Sequence, residues 1–179
     1  MTQPLYVLVY PSPLFAAHWS LWLAHTDASG HESHIGHRIH VTGDRLNGFE
    51  YEYIQDYNIQ EDERKPKVFT IGLISSTLLE SKVQDKVMLT NIDDKVEFYN
   101  VFDKVCQQVK PPGPSLNKVN SKSTGNGSQP PPKKTEVKDC QWWIIKVVEH
   151  LVEAGMLLPG ETTQGPRDPR NIVEELPRH

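Results

Sequence analysis

Five short strand-like runs crowd the first 75 residues, and they constrain the fold more than any other feature of the chain. Leu5–Tyr10 (LYVLVY) is aromatic, aliphatic and β-branched and is closed by Pro11 and Pro13, the pattern of a short strand buried on both faces. His18–His25 (HWSLWLAH) alternates, with Trp19, Leu21 and Leu23 on one side and His18, Ser20 and Trp22 on the other. HRIHVTG sets Ile39 and Val41 against Arg38, His40 and Thr42, and FEYEYIQDY sets Phe49, Tyr51 and Tyr53 against Glu50 and Glu52. Val68–Ile74 (VFTIGLI) reads as a fifth strand. Turn chemistry separates the runs: TDASGHESHIG, GDRLNG and the charged EDERKPK.

The remainder reads differently. From about Ser76 to Val109 the sequence favours helix, with Val96, Tyr99, Phe102 and Cys106 recurring as one buried face, which makes Cys106 a core residue. Residues 110–136 are rich in Pro, Gly, Ser, Asn and Lys, and Leu116 and Val119 are their only bulky apolar side chains. Such a segment buries too little to offset its ordering entropy and reads as a flexible insertion. DCQWWIIKVVEHLVEAG is a strong helix: Asp139 suits the N-cap, Ile144, Val147, Val148, Leu151 and Val152 form an apolar stripe, and Gly155 suits the position after the end. The tail from Pro159 reads as irregular. The expectation is one domain: 1–109 with the strands and a first helix, the insertion 110–136, the Cys-bearing helix in 137–158, and the tail 159–179. The class is α+β, an antiparallel sheet of about five strands packed against two or three helices.

Charge and cysteine usage narrow the function classes. A net charge of −4 gives no electrostatic reason to expect nucleic acid. The longest apolar stretches fall far short of the roughly 20 residues a membrane span needs. The start, MTQPLYVLVYPSP, lacks the basic region and small-residue cleavage site of a signal peptide. Cys106 and Cys140 are the only cysteines, too few for a disulfide framework, so a reducing, cytoplasmic compartment is the simpler expectation, with a single Cys106–Cys140 bridge left open. GDRLNG lacks the lysine of a phosphate-binding loop, and no cofactor motif appears.

Chemistry concentrates on Cys140 and the histidines. Cys140 falls in the first turn of its helix, where free amides and the macrodipole favour thiolate; a depressed thiol pKa is expected, with the amides available as an oxyanion hole. The alternative is a small apolar plug at a helix end. His150 lies ten residues further on, roughly 15 Å away, so a base must come from the strands. A hairpin centred on Ser29 sets His18 opposite His40, Ser20 opposite Arg38 and Trp22 opposite Gly36, so one imidazole can act as base while the other orients it. His31, His34, His37 and His40 recur every third residue, a candidate set for zinc or nickel or simply a polar loop. His18, His40 and Cys140 could alternatively hold zinc with one open position. Trp19, Trp22, Trp142 and Trp143, with Gln141, could wall an apolar substrate pocket or belong to the core.

These residues also resemble a known group. His18-Trp19-Ser20-Leu21-Trp22-Leu23, Ile39-His40-Val41 and Asp139-Cys140-Gln141-Trp142-Trp143-Ile144 are similar to the two histidine strands and the cysteine helix of the lecithin:retinol acyltransferase and H-rev phospholipase/acyltransferase group. The order His, His, Cys is that of the circularly permuted branch of the NlpC-like papain superfamily. The resemblance implies a permuted papain-like fold, with Cys140 as nucleophile, His18 as base and His40 as orienting residue. It implies a cofactor-free enzyme that forms a thioester with a small-molecule or acyl substrate and passes the acyl group to water, an amine or a hydroxyl. The chain departs from the group in its longer histidine loop, in Asp139 and Gln141, in the insertion before the helix and in lacking the group's C-terminal anchor. It also resembles small fungal proteins of unassigned function with a similar opening through His18-Trp19. A non-catalytic binding module on the same fold is the rival reading.

Overall fold

The computed structural model describes residues 1–80, 87–91, 94–115, 138–160 and 165–179. A six-stranded antiparallel sheet is built from β1 (Thr2–Tyr10), β2 (His18–Thr26), β3 (Glu32–Asp44), β4 (Gly48–Asn58), β5 (Lys67–Ser75) and the two-residue β8 (Leu157–Leu158). The strand order is β4-β3-β2-β1-β5-β8. A separate hairpin pairs β6 (Val87–Asn91) with β7 (Asp94–Phe98), and the helices are α1 (Val101–Gln108), α2 (Cys140–Glu153) and α3 (Pro169–Glu174). The protein is therefore α+β, with one strand more in its main sheet than the sequence suggests.

The alternation in the strands decides what packs where. Val7, Val9, Trp19, Leu21, Leu23, Ile39 and Val41 meet Trp143, Ile144, Val147, Val148 and Leu151 of α2 in the main core. Each such aliphatic side chain removed from water contributes about 1.5–3 kcal/mol. Phe49, Tyr51 and Tyr53 extend the same face along β4. Leu8, Tyr10, Trp22 and Ala24 form a second, smaller cluster on the opposite face, so β1 is indeed covered on both sides.

Three expectations need correction. The span from Ser76 to Val109 is not one helix: it holds a 3-10 turn at Ser76–Leu78, the β6–β7 hairpin and then α1. Valines and aromatics near strand positions 87–98 suit an extended ladder, and strand pairing overrides the helical spacing. Only Phe102 and Cys106 of the expected face lie in α1, both fully buried. Asn100 starts that helix, its side-chain oxygen accepting from the Asp103 amide at 2.8 Å. The tail is not wholly irregular: Asp168 caps α3, Pro169 opens it, and Val173 and Leu176 are buried against the core.

The β2–β3 register is the third correction. Thr26 pairs with Glu32, as a turn centred on Ser29 requires, but a bulge follows and Trp22 pairs with Arg38 rather than Gly36. The slip is of two residues, so each side chain keeps its face, and His18 and His40 become diagonal rather than direct partners. Residues 110–115 dock on the β3–β4 turn, with the Phe49 amide donating to Pro112 O at 2.9 Å and the Ser115 amide to Arg45 O at 3.0 Å. The rest of the 110–136 insertion lies outside the described residues.

Candidate active site

The start of α2 forms as its sequence requires. Asp139 Oδ1 accepts the amides of Gln141 and Trp142 at 3.0 and 3.2 Å, and Gly155 takes the left-handed conformation past the helix end at φ +67°. Cys140 is the first helical residue and is 8% exposed. The Gln141 side-chain amide donates to Ala17 O at 2.8 Å and to Arg178 O at 3.0 Å. Trp19 Nε1 donates to Pro177 O at 3.1 Å, and the Ala17 amide to Arg178 O at 2.9 Å. The start of β2, the start of α2 and the C-terminal tail are thus tied together around Cys140.

His18, the first residue of β2, places its Nε2 3.0 Å from His40 Nδ1, and the two rings meet edge to face with centroids 5.1 Å apart. His40 Nε2 in turn lies 2.7 Å from Glu52 Oε2 on β4, which is its partner in the β3–β4 register. Arg38, two residues before His40 on the same face, is 5% exposed. Its guanidinium lies 5.0 and 5.1 Å from the rings of Tyr10 and Tyr57, and its Nε donates to Ser20 Oγ at 3.1 Å.

His18 and Cys140 share a pocket of about 470 Å³. Its walls are mostly apolar, from Phe15, Ala16, Leu46 and Phe49, with Asp44, Arg45 and Asp139 at the margin. Arg45 Nη2 pairs with Asp139 Oδ2 at 2.7 Å, fixing the β3–β4 turn to the helix cap. Phe15 and Leu46 are 75% and 52% exposed, so the pocket opens to an apolar rim. Among the described residues no hydrogen bond joins His18 to Cys140.

Burial sets the resting protonation. It lowers His18 to a pKa of about 3, helped by the neighbouring His40, Arg38 and Arg64, and lowers His40 to about 3, helped by Arg38 and Arg64. The expected depression of the Cys140 pKa is overturned: burial raises it to about 11, the Asp139 carboxylate adds to the rise, and amides of Trp19, Gln141 and Cys140 only oppose it. The amides that sequence placed at the sulfur are present; desolvation outweighs them. The resting pair is a thiol and a neutral imidazole.

The aromatic pocket foreseen in the sequence is not the one formed. Trp19 and Trp143 are fully buried core residues, and Trp22 packs on the opposite face of the sheet against Tyr6, ring centroids 5.4 Å apart. Gln141 and Trp142 line a separate polar depression with Lys146, Glu149 and Arg178, where Lys138 Nζ sits 4.7 Å from the Trp142 ring. Helical geometry explains this: after Cys140 the helix turns Trp143 into the core and Gln141 and Trp142 toward the C-terminal tail, away from the pocket. Phe15 and Leu46 were missed because a loop side chain carries no periodic signal, and Phe49, whose strand face was assigned, because nothing local shows which strand end borders the pocket. Glu52 was missed as well: its strand face was assigned, but its place opposite His40 is set by the β3–β4 register.

The metal alternatives do not assemble. His31 bonds Ser29 Oγ at 2.6 Å in the turn, His34 is exposed, His37 meets His25 edge to face with centroids 4.7 Å apart, and His40 belongs to the pair with His18. The segment is a bulged strand rather than a loop, so its imidazoles diverge. Among the described residues no group of three His, Cys, Asp or Glu side chains is disposed to hold a metal ion, the set His18, His40 and Cys140 included. Cys106 and Cys140 are both free thiols.

A family of unknown function, DUF6540, matches residues 5–158. The chain belongs to the DUF6540 family. The matched span takes in His18, His40, Glu52 and Cys140, and Pro177 and Arg178, which hold the Trp19 side chain, lie beyond it. No curated protein and no solved structure matches this DUF6540 chain. Among the described residues, no helix is long and apolar enough to cross a membrane.

Proposed function

We propose that this DUF6540 chain is a cysteine-dependent acyl-transfer enzyme on a permuted papain-like fold. The supporting observation is that a cysteine at a capped helix N-terminus and a histidine held by a second histidine share the wall of one apolar pocket. Nε2 of His18 is engaged by His40, so Nδ1 is the nitrogen left to act as base. In the first step Sγ of Cys140 bonds to the carbonyl carbon of the substrate while the thiol proton passes to His18 Nδ1. The carbonyl π pair moves onto oxygen, where the Cys140 amide, which the Asp139 cap does not engage, stabilises it. The oxyanion then collapses, the leaving group departs with the proton from His18, and a thioester remains. Water, an amine or a hydroxyl attacks it in the reverse sense and frees the thiol. Because thiol and imidazole start neutral, proton transfer accompanies attack rather than preceding it, and their hydrogen bond forms with substrate in place. The apolar walls suit the acyl portion of a small substrate.

One observation favours the second reading, a binding module without chemistry: Cys140 is nearly covered and its thiol is stabilised up to about 11. Turnover of p-nitrophenyl esters of increasing chain length separates the two. Enzyme activity requires hydrolysis that Cys140→Ser abolishes and that His18→Ala slows by about 10²-fold or more, the usual weight of a general base. Saturable binding of the same esters with no Cys140-dependent release of p-nitrophenol would leave the binding module.

A further inference from the structure

Glu52 ends the hydrogen-bond chain that begins at the pocket, running from His18 Nε2 to His40 Nδ1 at 3.0 Å and from His40 Nε2 to Glu52 Oε2 at 2.7 Å. We infer that Glu52 is a positioning residue that sets the direction of the two-imidazole relay and so leaves Nδ1 of His18 bare to accept the Cys140 proton. This rests on the acyl-transfer reading above.

The inference follows from counting donors. A carboxylate oxygen accepts, so the hydrogen in the His40–Glu52 contact is on Nε2 of His40. A neutral imidazole carries one N–H, so His40 Nδ1 is bare and accepts from Nε2–H of His18. His18 has then used its single N–H, and its Nδ1 is free of hydrogen. Both rings are held neutral by their surroundings. His40 is 5% exposed, and Arg38, two residues away on the same face, has no carboxylate within ion-pair distance among the described residues. Arg64, from the β4–β5 loop and paired with Asp62 at 2.7 Å, stacks 4.3 Å from the Tyr10 ring, whose centroid is 5.7 Å from that of His18. Tyr57 closes the group, its hydroxyl 3.1 Å from that of Tyr10.

The same cations oppose the imidazolium that forms when Sγ gives its proton to Nδ1. Glu52 is the anion hydrogen-bonded to the relay, and it offsets them through His40. No second proton has to move: both N–H contacts keep their hydrogens while His18 gains one. Without an acceptor at residue 52, His40 can turn its hydrogen to Nδ1 and donate to His18 Nε2. That places the His18 hydrogen on Nδ1 and removes the base.

Histidine ¹⁵N spectra with two-bond correlations read the tautomers directly. Wild-type protein should show Nε2–H for both His18 and His40. Glu52→Ala should mix the tautomers of both rings, while Glu52→Gln, whose amide oxygen still accepts, should keep them. Glu52 is 48% exposed on the edge strand, so folding is expected to survive, and the amide spectrum checks it. Glu52→Gln should still acylate Cys140 about tenfold more slowly, the loss of one pKa unit of imidazolium stabilisation. A hydrogen on His18 Nδ1 in the wild type, or tautomers unmoved by Glu52→Ala, would overturn the inference. Tautomers that respond as stated in a protein whose Cys140 accepts no acyl group would uphold the relay and sink the acyl-transfer reading instead.

Discussion

At Cys140 two effects of opposite sign meet. The helix start lowers the thiol pKa, and burial with Asp139 close by raises it further than the amides bring it down. Alkylation of Cys140 by a small reagent is therefore expected to be slow at pH 7 and to titrate near 11, read by peptide mass mapping. Asp139→Asn keeps an oxygen for the cap but removes the charge, so the titration should move down; a titration that stays put would exclude Asp139 as a cause. His40 supplies a second residue-scale test. Its folded pKa of about 3 lies below the ordinary 6.5. The unfolded chain therefore binds the proton first, and stability present above pH 6.5 is lost as pH falls toward 3. At pH 5 the loss from His40 alone is about 2 kcal/mol. Urea unfolding at pH 7 and 5 should show a drop that His40→Gln reduces, and an unchanged drop would exclude it.

Among the elements, local chemistry made the first five strands, the Asp139 cap and the Gly155 stop legible, because alternation and capping are written in neighbouring residues. The histidines were placed on the correct face, but the bulge in β3 moved their pairing, since nothing local marks where two extra residues are taken up. The 76–109 span and α3 were misread because tertiary pairing and docking, not propensity, decide short elements. The thiol pKa was misread for a similar reason: burial is a property of the assembled core. The β3–β4 turn that carries Arg45 and Leu46 rests on Gly43, whose φ is +136° and where an added Cβ would lie 2.3 Å from Gly48 O. Gly43→Ala should cost about 2–3 kcal/mol and impair ester turnover more than chemical denaturation alone explains. Unaltered stability would show that the turn yields.

Across the whole molecule, the six-stranded sheet joins two differently used faces. One face binds α2 and makes the core; the other carries the Tyr10, Arg38, His40 and Glu52 network. The pocket opens at the strand ends, where α2 begins and the tail crosses. Carbonyls of Pro177 and Arg178 receive donors from Trp19, Ala17 and Gln141. Deleting residues 177–179 should lower stability by a few kcal/mol, at about 1 kcal/mol per hydrogen bond, and should slow acylation. A truncated chain with unchanged melting and unchanged turnover would reduce the tail to a bystander.

Capture of the acyl-enzyme tests the central claim most directly. Protein mixed with a p-nitrophenyl acyl ester and quenched in acid should gain the mass of one acyl group on the peptide carrying Cys140, labile to hydroxylamine. The gain should be absent in Cys140→Ser and strongly delayed in His18→Ala. An unmodified Cys140, or labelling that ignores residue 18, would contradict a Cys140–His18 acyl-transfer site.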